Sequence, residues 1–183
     1  MDDATDNQLI AACRGGDGLA LQQLVDRHLP AVSNYCFQLA LNRAAAEDLA
    51  QETFLRAIRS LASFRGAAAF RTWLFTIASN LAKSRLTSQA RERAVGDGDI
   101  EQLSLAQHDP PDRSLLLGEL AEEMETALHE LPLTLRSALV LSVVHEVPPQ
   151  EIAVMEGCAV NTIYWRIHEA RKILKRRLQQ WTT

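Results

Sequence analysis

Apolar side chains recur every three or four positions through long stretches of this 183-residue chain, the spacing of one face of an α-helix. We find no convincing alternation of apolar and polar positions that would indicate β-strands. A proline inside a helix removes a backbone hydrogen bond, so Pro30 is expected to divide the second stretch or to start a new helix. The N-terminal half is predicted to form helices over residues 6–14, 21–39, Ala46–Ser63 and from Phe70 to about Arg91.

The same periodicity assigns side chains to a core. On the fourth predicted helix, Phe70 and Trp73 are expected to be mostly buried, whereas Thr72 is placed among the polar surface residues. Cys36 is expected to lie in a core, as free cysteines often do. The inward face of the third helix is predicted to hold Leu49, Thr53, Phe54, Ala57, Ile58 and Leu61.

The C-terminal half continues the helical pattern from Leu115 to Leu131, and new helices are expected to start at Pro132 and at Pro148-Pro149, since the first turn tolerates proline. Residues 94–113 contain two glycines, two prolines and many acids, a composition that cannot bury enough apolar area to become ordered. The sequence therefore predicts an all-α fold. It has two small helical domains, 1–93 and 114–183, joined by an acidic flexible linker at 94–113.

Charge is segregated along the chain, although its net value is only −4. Residues 56–93 contain eight basic residues and one acidic residue, and residues 159–183 contain six and one. Residues 94–130, in contrast, contain ten acidic residues and one basic residue. Because local fields rather than the total charge attract a polyanion, two basic segments indicate a protein that contacts nucleic acid at two places.

The three cysteines, at positions 13, 36 and 158, lie far apart and lack the spacing of a zinc site or a disulfide framework. We find no phosphate-binding glycine loop and no nucleophile motif, so an enzyme is disfavoured and no metal or other cofactor is predicted. The chain has no apolar run of membrane length, and we expect a cytoplasmic protein that does not insert into a membrane.

Residues 148–178 have the pattern of a helix-turn-helix. Ala153 is small enough for close helix approach, Gly157 stands where the turn needs a positive φ, and Asn161 or a neighbour can cap the second helix. Such a second helix enters the major groove of duplex DNA by its N-terminal half. Its predicted DNA-facing residues are Asn161, Thr162, Tyr164, Trp165, Arg166, His168, Glu169, Arg171, Lys172 and Lys175.

Two residues of this helix have alternative roles. Trp165 fits stacking against DNA and fits burial by a partner protein equally well. Glu169 fits a hydrogen bond from a cytosine amino group and also fits an ion pair with a neighbouring arginine.

The run from Asp48 to Arg85, DLAQETFLRAIRSLASFRGAAAFRTWLFTIASNLAKSR, combines three features. Asp48, Gln51 and Glu52 share one side of a helix, aromatic and arginine residues surround a loop of small residues, and a basic helix follows. Aromatic rings beside cations suit single-stranded nucleic acid, because they supply stacking and phosphate neutralisation together.

These two segments resemble a known family. EDLAQETFLRAIRSLASFRGAAAFRTWLFTIASNLAKSRL is similar to region 2 of bacterial sigma factors, and LPLTLRSALVLSVVHEVPPQEIAVMEGCAVNTIYWRIHEARKILKRRL is similar to region 4. The two regions, in this order and with only a short linker between them, resemble the extracytoplasmic-function (ECF, group 4) subfamily of sigma-70. The likeness covers about residues 8–92 and 114–178.

The resemblance implies a role for each segment. The helix-turn-helix would bind the double-stranded −35 element. Region 2 would dock on core RNA polymerase through Asp48, Leu49, Gln51, Glu52 and Phe54. It would bind and melt the −10 element through Phe64, Arg65, Arg71, Trp73, Asn80, Lys83 and Arg85.

The implied partners are core RNA polymerase, promoter DNA and an anti-sigma factor, either soluble or membrane-anchored, that holds the protein inactive. The alternative is a stand-alone helix-turn-helix transcription regulator with an N-terminal helical sensor domain. Such a regulator would bind duplex DNA without polymerase, and it would have no use for the basic aromatic loop.

Overall fold

The computed structural model describes residues 2–40, 42–95 and 115–179, and all regular structure within these ranges is helical. This confirms the all-α prediction. Most of the predicted linker lies outside the described residues. The bounds are α1 Asp2–Arg14, α2 Gly18–Ala40, α3 Arg43–Ser60, a 3-10 turn Leu61–Ser63, α4 Phe70–Val95, α5 Leu115–Glu130, α6 Leu133–Val143, α7 Pro149–Glu156 and α8 Val160–Arg177.

Helix α2 runs without a break through Pro30, so the predicted division at that residue is wrong. A proline in a helix interior costs about 3 kcal/mol in lost hydrogen bonding and steric conflict. Here Leu24 and His28 before the proline, and Val32 and Tyr35 after it, are all buried on the same helix. Burial on both sides of Pro30 outweighs the local penalty.

Helices α1–α4 form the N-terminal group around a core that includes Tyr35, Leu49 and Phe75. Cys36 is fully buried, as predicted. The predicted inward face of α3 is confirmed except at Ile58, which is 41% exposed because it lies at the edge of the buried stripe.

Two polar contacts hold the N-terminal group together. The buried carboxylate of Asp6 on α1 lies 2.6 Å from Arg27 Nη1 and 2.8 Å from His28 Nε2 on α2. Arg14, at the end of α1, donates to the carbonyls of Leu61 and Phe64. These contacts attach α1 to α2 and to the start of the loop before α4.

Helices α5–α8 form the C-terminal group, and α7 and α8 make the predicted helix-turn-helix. Gly157 ends α7 at φ 64°, a left-handed conformation that glycine adopts without a Cβ penalty. The predicted side-chain cap by Asn161 or a neighbour is wrong: the N-cap residue of α8 is Ala159, which makes no side-chain hydrogen bond, and Asn161 already lies in the first turn. Ile163, Ile167 and Ala170 attach α8 to the core.

The two groups pack against each other, with α6 on α2 and α7 on α4, and their buried residues form one continuous cluster. Arg136 on α6 is buried and donates from Nη1 to the carbonyl of Leu39, 2.9 Å away at the end of α2. The Tyr35 hydroxyl lies 2.8 Å from Ser137 Oγ and 2.6 Å from Ser79 Oγ. No described helix is long and apolar enough to cross a membrane.

Candidate nucleic-acid interface

The predicted docking residues on α3 fall into two sets. Asp48 and Gln51 are exposed, and Glu52 is half-buried with its carboxylate 2.7 Å from Arg56 Nε. The hydrogen bond from Arg56 lowers the pKa of Glu52, which favours the negatively charged form of this carboxyl group.

Leu49 and Phe54 lie in the core, as the predicted inward face requires, so their additional prediction as direct polymerase contacts is corrected. The helical repeat places both on the inner face of α3, where they fix the helix and leave the acidic side outward. Two apolar side chains that were not predicted as contacts, Leu55 and Ile58, are instead 49% and 41% exposed on this helix.

The loop before α4 rests on a cluster of three rings. Phe64 packs 5.4 Å from Phe70 and 5.0 Å from Trp73, measured between ring centroids. Phe64 and Phe70 are buried and Trp73 is half-buried, so Phe64 supports the loop and offers no exposed stacking surface. Its prediction as a direct DNA contact is corrected for that reason, whereas the neighbouring Arg65 is exposed.

Three cationic side chains of helix α4 that were predicted to bind DNA contact protein groups in the structure. Arg71 donates to the carbonyl of His145, and Lys83 pairs with the carboxylate of Glu156 on α7. Arg85 Nη1 lies 3.4 Å from the carbonyl of Ala45 on α3, and Asn80 is exposed.

Thr72 is buried, which corrects its prediction as a surface residue. The reason is the packing of α7 against α4: the Thr72 hydroxyl lies 3.2 Å from Glu151 Oε2.

Helix α8 presents most of its predicted DNA residues to solvent. Tyr164 and Trp165 are 51% and 60% exposed, so Trp165 is accessible both to DNA and to a protein partner. Asn161, His168, Arg171, Lys172 and Lys175 are also exposed, whereas Thr162, Arg166 and Glu169 are half-buried.

Two ion pairs involve this helix face. Arg166 Nη1 lies 3.5 Å from Glu156 Oε2, and Lys172 Nζ lies 3.5 Å from Glu169 Oε2. The second pair supports the ion-pair role of Glu169 over a free carboxylate, although a lysine takes the place of the expected arginine.

Burial at the contact between the two groups changes two pKa values. Burial, reinforced by the positive charge of Arg71, lowers the pKa of His145 to about 4, so this ring is neutral at physiological pH. Its ring centroid lies 4.6 Å from that of Phe75 and 5.6 Å from that of Tyr35. Burial also lowers the pKa of Arg136 to about 10.

Sequence reasoning missed the buried polar residues between the groups, namely Arg136, Ser137, His145 and Glu156. No motif marks them, because each has a partner in the other group that lies more than 70 residues away along the chain. The local signal for Glu156 was weak: it directly precedes the glycine of the turn, a position that the helical repeat leaves ambiguous.

A helix-turn-helix with an exposed basic second helix, joined on one chain to a helical group that carries a basic helix beside an aromatic cluster, defines a two-module DNA-binding protein. Residues 24–92 match the family Sigma-70 region 2, and residues 121–174 match Sigma-70, region 4. The chain is 34% identical to the ECF RNA polymerase sigma-E factor of Haemophilus influenzae over 182 residues, which cover 96% of each protein. It therefore belongs to the ECF family of RNA polymerase sigma factors, as its two motifs predicted.

One further relative and two solved structures also match this chain. The RNA polymerase sigma-H factor of Pseudomonas aeruginosa is 32% identical, with 95% of this chain and 94% of that protein covered. A structure of the sigma factor RpoE in complex with the anti-sigma factor NepR from Bartonella quintana matches with a TM-score of 0.75. It is 30% identical and covers 86% of this chain and 96% of that one. The structure of CnrH in complex with the cytosolic domain of CnrY matches with a TM-score of 0.67, at 25% identity and coverages of 96% and 97%.

Proposed function

We propose that this chain binds core RNA polymerase, directs it to specific promoters and helps to melt the −10 element. The observation that carries this proposal is that both sigma regions occur in order on a chain matching a sigma-E relative over almost its entire length. The protein would act by binding alone, with no bond chemistry of its own. We place its action in the cytoplasm, together with the polymerase.

The exposed side of α3 is the proposed polymerase contact. Asp48, Gln51 and Glu52 supply an acidic and amide surface, and the exposed Leu55 and Ile58 add apolar area beside it. Specific interfaces combine apolar anchors with a polar rim, so this mixed face suits a protein partner better than a nucleic acid.

DNA contacts are divided between α4 and α8. We assign the −10 element to side chains that supply cations, a ring and an amide for an unpaired strand, namely Arg65, Arg71, Trp73, Asn80, Lys83 and Arg85. A flipped base costs a few kcal/mol of lost stacking, which ring contacts and edge hydrogen bonds must repay.

We assign the −35 element to the exposed face of α8. The side chains in its first two turns, from Asn161 to Arg166, would reach base edges, and Arg171, Lys172 and Lys175 would contact phosphates. Phosphate contacts supply most of the affinity, and base contacts supply the sequence preference.

An anti-sigma factor is the proposed inhibitor. One matching structure contains the sigma factor RpoE bound to the anti-sigma factor NepR, and another contains CnrH bound to the cytosolic domain of CnrY. The exposed Trp165 and Tyr164 are candidate contacts for such a partner, since buried aromatic side chains often dominate binding energy.

Run-off transcription with bacterial core polymerase tests the proposal directly. A library of promoter fragments should yield start sites that require this protein and share paired −35 and −10 elements. The double charge reversal Asp48→Lys with Glu52→Lys should abolish these transcripts by weakening polymerase binding. Arg43→Ala serves as the control, because Arg43 is exposed at the start of the same helix and pairs with Glu47 on its own helix.

The competing function makes the opposite prediction. A stand-alone regulator would give no protein-dependent transcripts and would bind a specific duplex tightly without polymerase. Equal transcription by the charge-reversed variant and the wild type would contradict the docking assignment while leaving the sigma function intact.

A further inference from the structure

One carboxylate oxygen joins the two proposed DNA-binding helices. Glu156 Oε2 pairs with Lys83 Nζ from α4, and the same oxygen lies 3.5 Å from Arg166 Nη1 of α8. The side chain of Glu156 is 1% exposed, whereas those of Lys83 and Arg166 are 32% and 18% exposed. The carboxylate therefore lies inside the contact, with one cation approaching from each DNA-binding helix.

The second oxygen of Glu156 extends the contact through hydroxyl groups. Ser137 Oγ lies 3.1 Å from Glu156 Oε1 and 2.8 Å from the hydroxyl of Tyr35, which in turn lies 2.6 Å from Ser79 Oγ. This network passes from α7 through α6 to α2 and α4. Within this network the Tyr35–Ser137 contact crosses between the two groups, and it connects Glu156 on one side with Ser79 on the other.

Geometry excludes this arrangement on an open promoter. Elements centred near positions −35 and −10 lie about 25 base pairs apart, or roughly 85 Å of duplex at about 3.4 Å per pair. Lys83, assigned to the −10 element, and Arg166, assigned to the −35 element, cannot share one oxygen while contacting sites so far apart. The two groups must separate before both elements can be bound.

We propose that Glu156 is an internal lock: it takes the place of DNA as the partner of Lys83 and Arg166, and it holds the free chain in a closed form that cannot engage both promoter elements. The roles of the two cations rest on the proposed function. The lock itself rests only on the contacts among Glu156, Lys83, Arg166 and Ser137.

Removal of the charge should open the chain. Without the carboxylate, the Lys83 ammonium and the Arg166 guanidinium face each other across a poorly solvated contact, where like charges repel strongly. Glu156→Gln keeps the size of the side chain and an oxygen for Ser137, so the C-terminal group should still fold. Glu146→Gln is the matched control, because Glu146 is exposed, belongs to the same group and gives the same change in net charge.

The first measurement is small-angle X-ray scattering of the full-length protein without polymerase. A compact chain of this length has a radius of gyration of about 16 Å. We expect wild type and Glu146→Gln to be near this value and Glu156→Gln to be larger by several ångströms. Lys83→Gln, which breaks the lock from the half-exposed side, should expand the protein as well and covers the case in which Glu156→Gln fails to fold.

The second measurement is fluorescence anisotropy with a labelled single-stranded oligonucleotide of arbitrary sequence. Glu156→Gln should bind it several-fold more tightly than wild type and Glu146→Gln, because both cations are released. Unchanged compactness of Glu156→Gln and Lys83→Gln would overturn the lock, and expansion without tighter binding would overturn its coupling to DNA. Because neither readout involves polymerase or a promoter, failure of the lock and failure of the sigma function can be distinguished.

Discussion

The helices α4 and α8 carry the proposed DNA contacts of the two sigma regions, and their cations have different surroundings. On α4, Arg71, Lys83 and Arg85 each contact a carbonyl or carboxylate of the protein itself. On α8, Arg166 and Lys172 also pair with carboxylates, but Arg171 and Lys175 are exposed on the outer face. Attraction to a duplex is therefore expected to begin at α8, whereas α4 supplies its contacts only after its protein partners have moved.

This difference gives the chain a way to limit non-specific binding to DNA. Basic surfaces bind any DNA through counterion release, which makes an uncovered region 2 prone to non-specific contacts. On α4, the contacts of the cations with carbonyl and carboxylate groups of the protein limit non-specific DNA binding, and every cation is retained.

The largest effect is expected from Asn80→Ala combined with Arg85→Ala on α4. Loss of one neutral and one charge-assisted contact costs about 3 kcal/mol, or on the order of 100-fold in promoter opening by polymerase. The duplex affinity of the free chain should change less than twofold, because Asn80 is uncharged and Arg85 already contacts the protein. Permanganate reactivity of unpaired thymines measures the opening.

The control for this double variant is Thr87→Ala, an exposed position on the same helix. A loss of duplex binding by the free double variant as large as its loss of promoter opening would contradict the contrast between α4 and α8.

The second effect is the pH dependence of folding stability that arises from His145, which is buried at the contact between the two helix groups. His145 has a pKa of about 4 in the folded chain against 6.5 when free, so the folded form is favoured above pH 6.5 and loses this advantage as pH falls toward 4. Between pH 7 and 5 the loss should reach roughly 30-fold in the unfolding equilibrium, or about 2 kcal/mol. In His145→Phe, which keeps a ring against Tyr35 and Phe75, that part of the pH dependence should vanish.

Urea denaturation at pH 7 and pH 5 measures this effect. His28, whose pKa burial also lowers, is retained in both proteins, so its contribution cancels in the comparison. His168→Phe on the exposed α8 is the matched control. Equal pH dependence in His145→Phe and wild type would mean that His145 is not buried in its neutral form in solution.

The third effect is a salt dependence located on α8. Arg171→Ala with Lys175→Ala should lower duplex affinity by about tenfold near physiological salt and reduce the slope of log affinity against log salt by about 2. Arg43→Ala removes an exposed arginine from α3 and should leave the slope unchanged. An unchanged slope in the double variant would show that these side chains do not contact phosphates.

The smallest effect is expected at Glu169, whose carboxylate is shared with the exposed Lys172. Glu169→Gln should alter stability by less than about 0.5 kcal/mol, since exposed ion pairs contribute little. If Glu169 also accepts a hydrogen bond from a cytosine, preference at one −35 position should relax by about fivefold. Selection of bound duplexes from a randomised −35 library measures it, and an unchanged selected sequence would leave Glu169 with only its ion pair.

Much of the fold could be predicted from the sequence, because helical periodicity and turn residues are local signals. Gly157 at positive φ and Pro149 in the first turn of α7 stand where the sequence placed them. Pro30 was misinterpreted since its local penalty is offset by tertiary burial, which periodicity does not weigh. Asn161 could cap a helix chemically, but α8 begins at Val160, one position before it.

The candidate site was harder to predict, because tertiary packing decides which residues of a motif are exposed. A motif shows which residues cluster along the chain, yet it does not separate a contact residue from one that supports it. Leu49, Phe54 and Phe64 belong to the matching segments and lie in the core. The buried polar residues of the contact between the groups gain their partners only when distant helices meet, so their role was not predictable from the sequence.

The guanidinium of Arg136 caps the C-terminal ends of two helices that belong to different halves of the chain. It donates to the carbonyl of Leu39 at the end of α2 and to the carbonyl of Leu131 just after α5. Any movement that takes α6 away leaves the last carbonyls of α2 without this donor. Helix α3, with the proposed polymerase contact, begins only a few residues later at Arg43. The state of the C-terminal half is thereby linked energetically to the start of the docking helix. By thermodynamic reciprocity, a polymerase that binds α3 better after Arg136 is withdrawn would favour that withdrawal to the same degree.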